Sequence, residues 1–228
     1  MRDIIKFFTK EGEWVLDPFV GVGGTLLGAA LCNRNAIGID ISREYLDIYK
    51  KVCKRLKLRE FLTICDDARN IVKHEIVTSR KFDLILTDPP YCKMMAKKKT
   101  GQKKKRGLGA ATPFTKLEAD IGNLEYDNFL IELKKIIGQC VKYLKNNGYL
   151  VVFIKDLQPS KDLQPTKDKT NILHADVIRK LSEIENLRYR GYKIWYDKTV
   201  SLYPFGYPFA FVPHQLHQFI LIFRKEKV

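Results

Sequence analysis

The sequence predicts an α/β fold in which a Rossmann-like, mostly parallel β-sheet carries helices on both faces. Three observations lead to this prediction. Short runs rich in Ile, Val, Leu and Phe recur along the chain, segments with helical spacing separate them, and a glycine-rich turn joins the first run to the first helix. Such alternation implies right-handed crossovers between parallel strands. With 228 residues, 45% of them hydrophobic, the chain is long enough to bury one substantial core.

The predicted elements follow one another in this order. Candidate strands lie at 13–17, 35–40, 61–65, 82–87, 148–154, about 190–196 and 217–223. Candidate helices lie at about 24–32, 43–56, 126–145 and 174–184. The helix at 126–145 is the best defined, because its apolar residues recur every three or four positions, as on one face of an amphipathic helix. We expect Asn147-Gly148 to end that helix and to start the fifth strand.

Two segments do not fit this alternation. Residues 92–124 contain a lysine-rich run and the stretch GLGAATPF, and residues 155–173 contain the tandem hexapeptides KDLQPS and KDLQPT. Loops of this length in a compact domain are usually functional or disordered. We therefore predict a single domain over residues 1–228 with two long loops.

The charge of the chain indicates a polyanionic partner. The formal net charge is +15, and eight of the fourteen residues from Lys93 to Arg106 are Lys or Arg. Cationic residues bind nucleic acid because each neutralised phosphate releases condensed counterions. A merely solubilising loop is the alternative.

Membranes, disulfides and metals are not indicated. No apolar run approaches the roughly 20 residues that cross a bilayer, and no signal peptide is evident, so we expect a cytoplasmic protein without membrane contact. The five cysteines include no CxxC pair, and we expect neither a disulfide framework nor a metal site.

A glycine-rich turn, D-P-F-V-G-V-G-G-T at 17–25, follows the first predicted strand. Phe19, Gly21 and Gly23 form an F-x-G-x-G pattern, in which glycines let the backbone bend sharply and approach a ligand. The next strand ends at Asp40, where an acid can accept hydrogen bonds from ribose hydroxyls. A tight structural turn and a helix cap are the alternatives, since Ser42 can also cap the following helix.

Two further acidic sites follow strands. Asp66-Asp67 comes after the third strand and could reach an adenine amine, although an ordinary loop acid is the alternative. D-P-P-Y at 88–91 comes after the fourth strand. Its prolines remove two backbone donors, so the Asp88 carboxylate and the Pro89 carbonyl are two acceptors suited to an NH₂ group. Tyr91 offers a flat face on which a base can stack.

These motifs resemble those of the DNA amino-methyltransferases, the N6-adenine and N4-cytosine family that uses S-adenosyl-L-methionine. VLDPFVGVGGT resembles the cofactor motif, IGIDISREYLDI the strand and helix after it, DPPY the catalytic tetrapeptide, and HQFILIFRK the closing strand. The resemblance implies a class I methyltransferase fold of seven strands in the order 3-2-1-4-5-7-6, with the last strand antiparallel.

The resemblance also implies the roles of individual residues. The methionine part of the cofactor is expected at Phe19, Gly21, Gly23 and their neighbours, the ribose at Asp40 and the cofactor adenine at Asp67. The full cofactor set is Asp17, Phe19, Gly21, Gly23, Thr25, Asp40 and Asp67. The catalytic set, which holds the target amine, is Asp88, Pro89, Pro90 and Tyr91.

The function implied is methylation of an exocyclic amino group of a nucleic-acid base, with adenine N6 in DNA favoured and cytosine N4 as a second target. A methyltransferase for transfer or ribosomal RNA and a non-catalytic nucleic-acid-binding subunit are the alternatives. Many family members have the catalytic motif first, whereas here the cofactor motif comes first and no recognition domain is visible. A separate recognition subunit or a homodimer could supply recognition, as in restriction-modification.

Overall fold

The computed structural model describes residues 1–92, 115–156, 171–196 and 216–227. The lysine-rich run 93–106 and most of the hexapeptide repeat therefore lie outside the described residues. The prediction of a single domain with two long loops stays a prediction.

Within the described residues the chain forms seven strands and six α-helices. The strands are β1 (Trp14–Asp17), β2 (Asn35–Asp40), β3 (Leu62–Cys65), β4 (Phe82–Thr87), β5 (Leu144–Ile154), β6 (Leu187–Tyr196) and β7 (His217–Lys225). The helices are α1 (Arg2–Phe8), α2 (Gly24–Ala30), α3 (Arg43–Leu56), α4 (Glu75–Thr78), α5 (Tyr126–Val141) and α6 (Leu173–Ser182). Two 3₁₀ turns lie at Ala68–Lys73 and Ile121–Asn123.

One sheet contains all seven strands in the order β3-β2-β1-β4-β5-β7-β6. The first five strands pair in parallel, and β7 runs antiparallel to both β5 and β6. The predicted order and the antiparallel last strand are confirmed. Because β1 to β4 are parallel, their carboxyl ends meet at one edge of the sheet, and the predicted site residues follow those ends.

Helices cover both faces of the sheet, as predicted. Neighbouring residues of β1 point to opposite faces, so that Val15 belongs to the core cluster that includes residues of α1, α2 and α3, and Leu16 to the cluster that includes residues of α5 and α6. Both side chains are fully buried. The central strands therefore have two hydrophobic layers, which fix the position of the carboxyl edge.

The region around Asn147-Gly148 differs from the prediction. Helix α5 ends at Val141, and β5 already begins at Leu144. The pairing of β4 with β5 shifts between Leu144 and Tyr149, and Asn147 has a φ of 65°. Asn147-Gly148 thus lies in an irregular part of β5 and does not end the helix. The prediction was wrong because a helix end and a bulge both use residues that tolerate positive φ.

Candidate active site

The turn after β1 is anchored by a buried carboxylate. Asp17 Oδ1 accepts hydrogen bonds from the Phe19 backbone N (3.0 Å) and from Thr87 Oγ1 at the end of β4 (2.7 Å). Burial raises the pKa of Asp17 to about 7. The Thr25 hydroxyl lies close enough to lower this pKa, but it makes no hydrogen bond of normal geometry. Asp17 and Thr25 lie behind the pocket wall, so their contact with a ligand stays a prediction.

The two glycines of the turn have different surroundings, although both have positive φ, 52° at Gly21 and 88° at Gly23. A Cβ atom on Gly21 would meet nothing within 4 Å, and Gly21 lines the pocket. A Cβ atom on Gly23 would lie 2.1 Å from Cδ2 of the fully buried Tyr49 on α3. Gly21 therefore keeps the pocket open, whereas Gly23 lets α3 pack against the turn.

Asp40 connects this turn to the start of α3. Its Oδ2 accepts from the Gly21 backbone N (2.7 Å) and its Oδ1 from the Ser42 backbone N (2.8 Å). Ser42 caps α3 by accepting from the Tyr45 backbone N (3.4 Å), which confirms the helix cap, whereas ribose binding by Asp40 stays a prediction. Burial raises the pKa of Asp40, and the nearby charge of Asp120 raises it further. Each carboxylate oxygen keeps a second lone pair for a ligand hydroxyl.

The adjacent acids Asp66 and Asp67 have separate roles in the structure. Asp66 accepts from Asn70 Nδ2 (3.0 Å) and contacts His74 Nε2 (2.8 Å). The pKa of Asp66 is lowered, mainly by the hydrogen bond from Asn70. Asp67 and Ala68 line the pocket instead. Asp66 thus holds the local turn, whereas Asp67 lines the pocket, and its contact with the cofactor stays a prediction.

Arg69 fixes the Asp67 carboxylate. Its Nη2 lies 2.6 Å from Asp67 Oδ2, and its Nε donates to both carboxylate oxygens. The same Nη2 donates to the Ala119 carbonyl (2.7 Å), and Nη1 lies 3.8 Å from Glu132 Oε2 on α5. One guanidinium therefore connects the end of β3, the segment before α5 and α5 itself.

The tetrapeptide D-P-P-Y follows β4 directly. Asp88 has exposed surface at the pocket mouth, but protein atoms surround its carboxylate closely enough to raise its pKa to about 6. Tyr91 Oη donates to Asp88 Oδ1 (3.1 Å), which opposes that rise. Pro90 lines the pocket, Pro89 is buried, and Tyr91 is buried in the core. Stacking of a base on Tyr91 stays a prediction, since its ring does not line the pocket in this structure.

Sequence reasoning missed a part of the pocket wall that lies just before α5. Asp120 is buried and accepts from the Gly122 backbone N (2.8 Å) and from Thr115 Oγ1 (2.7 Å). A Cβ atom on Gly122 would lie 3.0 Å from Pro90 Cβ, so this turn packs against the tetrapeptide. The available signal was the Asp-x-Gly pattern at 120–122, which is typical of a turn held by an aspartate side chain.

One pocket brings most of the predicted residues together. It is lined by Pro18, Phe19, Gly21, Asp40, Ile41, Tyr45, Asp67, Ala68, Asp88, Pro90, Thr115, Ala119, Asp120 and Ile121. Four of these residues are aspartates, although the chain has a net charge of +15. Such a pocket suits a ligand that carries positive charge.

The described residues contain no group of three or more His, Cys, Asp or Glu side chains that could hold a metal ion. Among the same residues, no helix is both long enough and apolar enough to cross a bilayer.

The family match concerns the first fifth of the chain. Residues 1–51 match the DNA methylase family. The predicted resemblance is thus confirmed over these residues, which hold the glycine-rich turn and Asp40 but not the D-P-P-Y tetrapeptide.

Two curated relatives share parts of the sequence. The type II methyltransferase M2.DpnII of Streptococcus pneumoniae is 52% identical over 51 residues, which are 22% of this chain and 19% of the relative. A tRNA (guanine(10)-N2)-dimethyltransferase of Methanothermobacter thermautotrophicus is 35% identical over 82 residues, which are 36% of this chain and 23% of the relative. The matches thus span about a quarter or less of these relatives.

Solved structures resemble the whole chain in fold. NSun6 of Pyrococcus horikoshii with SFG has a TM-score of 0.59 at 19% identity, covering 100% of this chain and 51% of its own. SMU.1697c of Streptococcus mutans, a putative methyltransferase in complex with SAH, has a TM-score of 0.56 at 12% identity, covering 98% and 94%. The fold is that of the class I S-adenosylmethionine-dependent methyltransferases.

Proposed function

We propose that this chain is an S-adenosyl-L-methionine-dependent methyltransferase that methylates an exocyclic amino group of a nucleic-acid base, with adenine N6 in DNA as the target. The observation that carries the proposal is the pocket itself. It joins Gly21, Asp40 and Asp67, from the predicted cofactor set, to Asp88 and Pro90 of the tetrapeptide. A donor and an acceptor bound there would meet at one edge of the sheet.

The residues present fit the cofactor. Asp40 has lone pairs for the ribose hydroxyls, and Asp67 can accept from the adenine amine. The cofactor is a net cation, because its sulfonium and α-ammonium outnumber its single carboxylate, and Asp40, Asp88 and Asp120 favour such a ligand beside the Arg69-paired Asp67. When bound, the cofactor supplies an electrophilic methyl group. The backbone at Gly21 leaves open space where its methionine part would pass.

Asp88 and Pro89 would hold the target amine. The Tyr91 hydroxyl already donates to Asp88 Oδ1, so we assign the less engaged Oδ2 and the Pro89 carbonyl as the acceptors for the two amine hydrogens. An aromatic amine is a weak nucleophile because its lone pair is delocalised, and two acceptors favour a pyramidal nitrogen with a free lone pair. Positioning and local electrostatics then account for most of the acceleration. The methylated nitrogen must lose a proton, which can pass to Asp88 or to water.

A duplex hides the adenine amine from any such pocket. The target nucleotide must therefore leave the base stack, at a cost of a few kcal/mol for unstacking and unpairing. The basic net charge supports binding of the surrounding phosphates. Cytosine carries the same kind of NH₂ group at N4 and is a second base that the tetrapeptide could bind.

Methylation of guanine N2 in RNA is a second candidate function. It is favoured by the similarity to the tRNA (guanine(10)-N2)-dimethyltransferase, which covers more of this chain than the similarity to M2.DpnII does. The amine of guanine presents the same two hydrogens to Asp88 and Pro89. The site chemistry therefore serves both substrates, and the two candidates differ in the nucleic acid bound.

Methyl transfer from tritiated cofactor to plasmid DNA, transfer RNA and ribosomal RNA, followed by nucleoside analysis, tests the proposal. We expect N6-methyladenine in DNA. Asp88→Ala should abolish transfer and leave cofactor affinity nearly unchanged, whereas Asp47→Ala, an exposed acid on α3, serves as the matched control. Product in RNA alone would replace the DNA assignment, and cofactor binding without transfer to any nucleic acid would favour a non-catalytic subunit.

A further inference from the structure

The carboxyl-terminal half of β6 carries large side chains that are open to solvent. Tyr192 is 53% exposed, Ile194 49%, Trp195 47% and Tyr196 54%. We refer to residues 192–196 as the aromatic end of β6. In the described part of the chain β6 is an edge strand that pairs with β7 alone, and it exposes apolar side chains on both faces. Contiguous exposed apolar surface of this kind commonly marks an interaction site.

The aromatic end lies on the same edge of the sheet as Asp88. Since β5 and β6 are both antiparallel to β7, they run in the same direction, and Tyr196 lies opposite His217 at the start of β7. Three strand spacings separate β6 from β4, or about 14 Å. Because one strand of B-form DNA advances about 3.4 Å per nucleotide, this distance equals about four nucleotides.

Three cationic residues lie on β6, two of them before the aromatic end and Lys193 within it. Arg188, Arg190 and Lys193 are exposed, and the strand contains no acidic residue. Arg190 pairs with Glu226, whereas Lys193 Nζ lies 3.6 Å from the centroid of the Phe7 ring, which is itself 65% exposed. Rings that accept stacked bases, next to cations that track phosphates, are the features that bind single-stranded nucleic acid.

A second copy of the chain is a weaker candidate for this surface. An exposed edge strand can pair with another edge strand through its free backbone groups. Pairing of two β6 strands would however bring Arg188, Arg190 and Lys193 of both copies together, and each chain has a net charge of +15. Like charges that face each other across paired strands are destabilising. The same charges favour a polyanion.

We propose that the aromatic end of β6 binds the single-stranded DNA next to the extruded target base. One base stacks on Trp195 and another on Tyr196 on the opposite face of β6, so that the DNA strand crosses the free edge, and Lys193, on the same face as Trp195, contacts a phosphate. This inference rests on the proposed function, because it takes the DNA strand in the Asp88 pocket as its starting point. The surface adds affinity for the unpaired strand without selecting a base sequence.

Trp195 provides a direct probe, because the chain contains only one other tryptophan, Trp14. Trp14→Phe leaves Trp195 as the sole indole, and the Trp14 hydrogen bond to Asp83 survives because it comes from the backbone. We expect oligo(dT) to quench Trp195 fluorescence and oligo(rU) to do so less. Anisotropy of labelled oligo(dT) reports binding independently of the indole.

Alanine variants test the contribution to affinity. Trp195→Ala and Tyr196→Ala should each weaken oligo(dT) binding about tenfold and leave cofactor affinity unchanged. Leu62→Ala is the matched control, because Leu62 is 47% exposed on β3 at the opposite edge of the sheet. Lys193→Gln should reduce the log–log salt slope of oligo(dT) binding by about 0.7, the value for one phosphate contact with a single strand.

Three results would overturn the inference. The first is that oligo(dT) binds without changing the Trp195 fluorescence and binds both alanine variants as tightly as it binds the unsubstituted protein. The second is quenching by oligo(rU) alone. The third is a dimer in sedimentation that Trp195→Ala dissociates. Quenching by oligo(dT) without methyl transfer to any nucleic acid would support the DNA surface and remove the proposed function, so the two failures are distinguishable.

Discussion

Replacing Gly23 by alanine should destabilise the fold far more than the same change at Gly21. Both glycines have positive φ, where an L-residue costs about 1–2 kcal/mol. At Gly23 the new methyl group would also lie 2.1 Å from the Tyr49 ring. That ring cannot move easily, since it is fully buried and its hydroxyl accepts from the Phe61 backbone N (2.8 Å). Overpacking of this kind costs a further 1–3 kcal/mol or so.

The expected loss in free energy of unfolding is therefore about 2–5 kcal/mol for Gly23→Ala and about 1–2 kcal/mol for Gly21→Ala. For a chain of this length, 1 kcal/mol corresponds to a melting shift of about 2–4 °C. Gly138→Ala on α5 is the control. A Cβ atom there would meet nothing within 4 Å, so this change should stabilise the protein by about 0.5–1 kcal/mol.

Urea denaturation of the three variants measures these differences, and calorimetric titration with S-adenosylmethionine measures their effect on the pocket. Gly21→Ala should weaken cofactor binding although it is the milder change for stability, because only Gly21 lines the pocket. If Gly23→Ala unfolds with the same free energy as Gly21→Ala, the packing argument for Tyr49 is wrong.

Four further outcomes are expected. Asp40→Ala should weaken cofactor binding by about 1–3 kcal/mol, and unchanged calorimetric affinity would remove Asp40 from the site. Because Asp88 must be ionised to accept the amine hydrogens, kcat/KM should fall as the pH drops through about 6, and a flat profile would contradict its role. The Asp17 pKa rises from 3.8 to about 7 on folding, so the folded chain binds more protons than the unfolded chain between these pH values. The free energy of unfolding should therefore decline as the pH rises from about 4 to about 7. Denaturation of Asp17→Asn should show a weaker decline over the same range. Replacing the eight basic residues of 93–106 by Gln or Ser should lower the salt slope of DNA binding by about 0.9 per lost duplex contact, and an unchanged slope would leave that run a solubilising loop.

The strand order was predicted through the resemblance to the DNA amino-methyltransferases, whereas the edge of the sheet that carries the site could be predicted from the residues themselves. The glycine-rich turn, the acid at the end of the second strand and the tetrapeptide after the fourth all mark carboxyl ends of parallel strands, and these ends meet at one edge whatever the intervening loops. Asp40 and Asp88 were located in this way. Their separate elements bring them to one pocket, as the sheet order requires.

Other features depend on contacts that local patterns do not encode. Asp120 follows a long stretch of sequence without a helix or strand pattern. That Asp120 lines the pocket is visible only in the structure, where the neighbouring Gly122 packs against Pro90. The F-x-G-x-G pattern treats Gly21 and Gly23 alike, whereas the position of Tyr49, 26 residues later, gives them different functions. The tertiary contact with Tyr49, which the turn motif does not reveal, thus distinguishes the two glycines.

The ion pair between Arg69 and Asp67 bears on how strongly salt weakens the binding of the methyl donor and of the polynucleotide. Because the guanidinium already neutralises Asp67, the uncharged adenine amine would meet a paired carboxylate and not a bare negative charge. Added salt should then leave the adenine contact nearly unchanged, and the other charges of the pocket are partly buried, where screening is weaker than at the surface. Binding of the polynucleotide should in contrast weaken steeply, since it depends on released counterions. Ionic strength can therefore separate loading of the methyl donor from capture of the methyl acceptor, and a protein kept in high salt would hold its cofactor while its substrate dissociates.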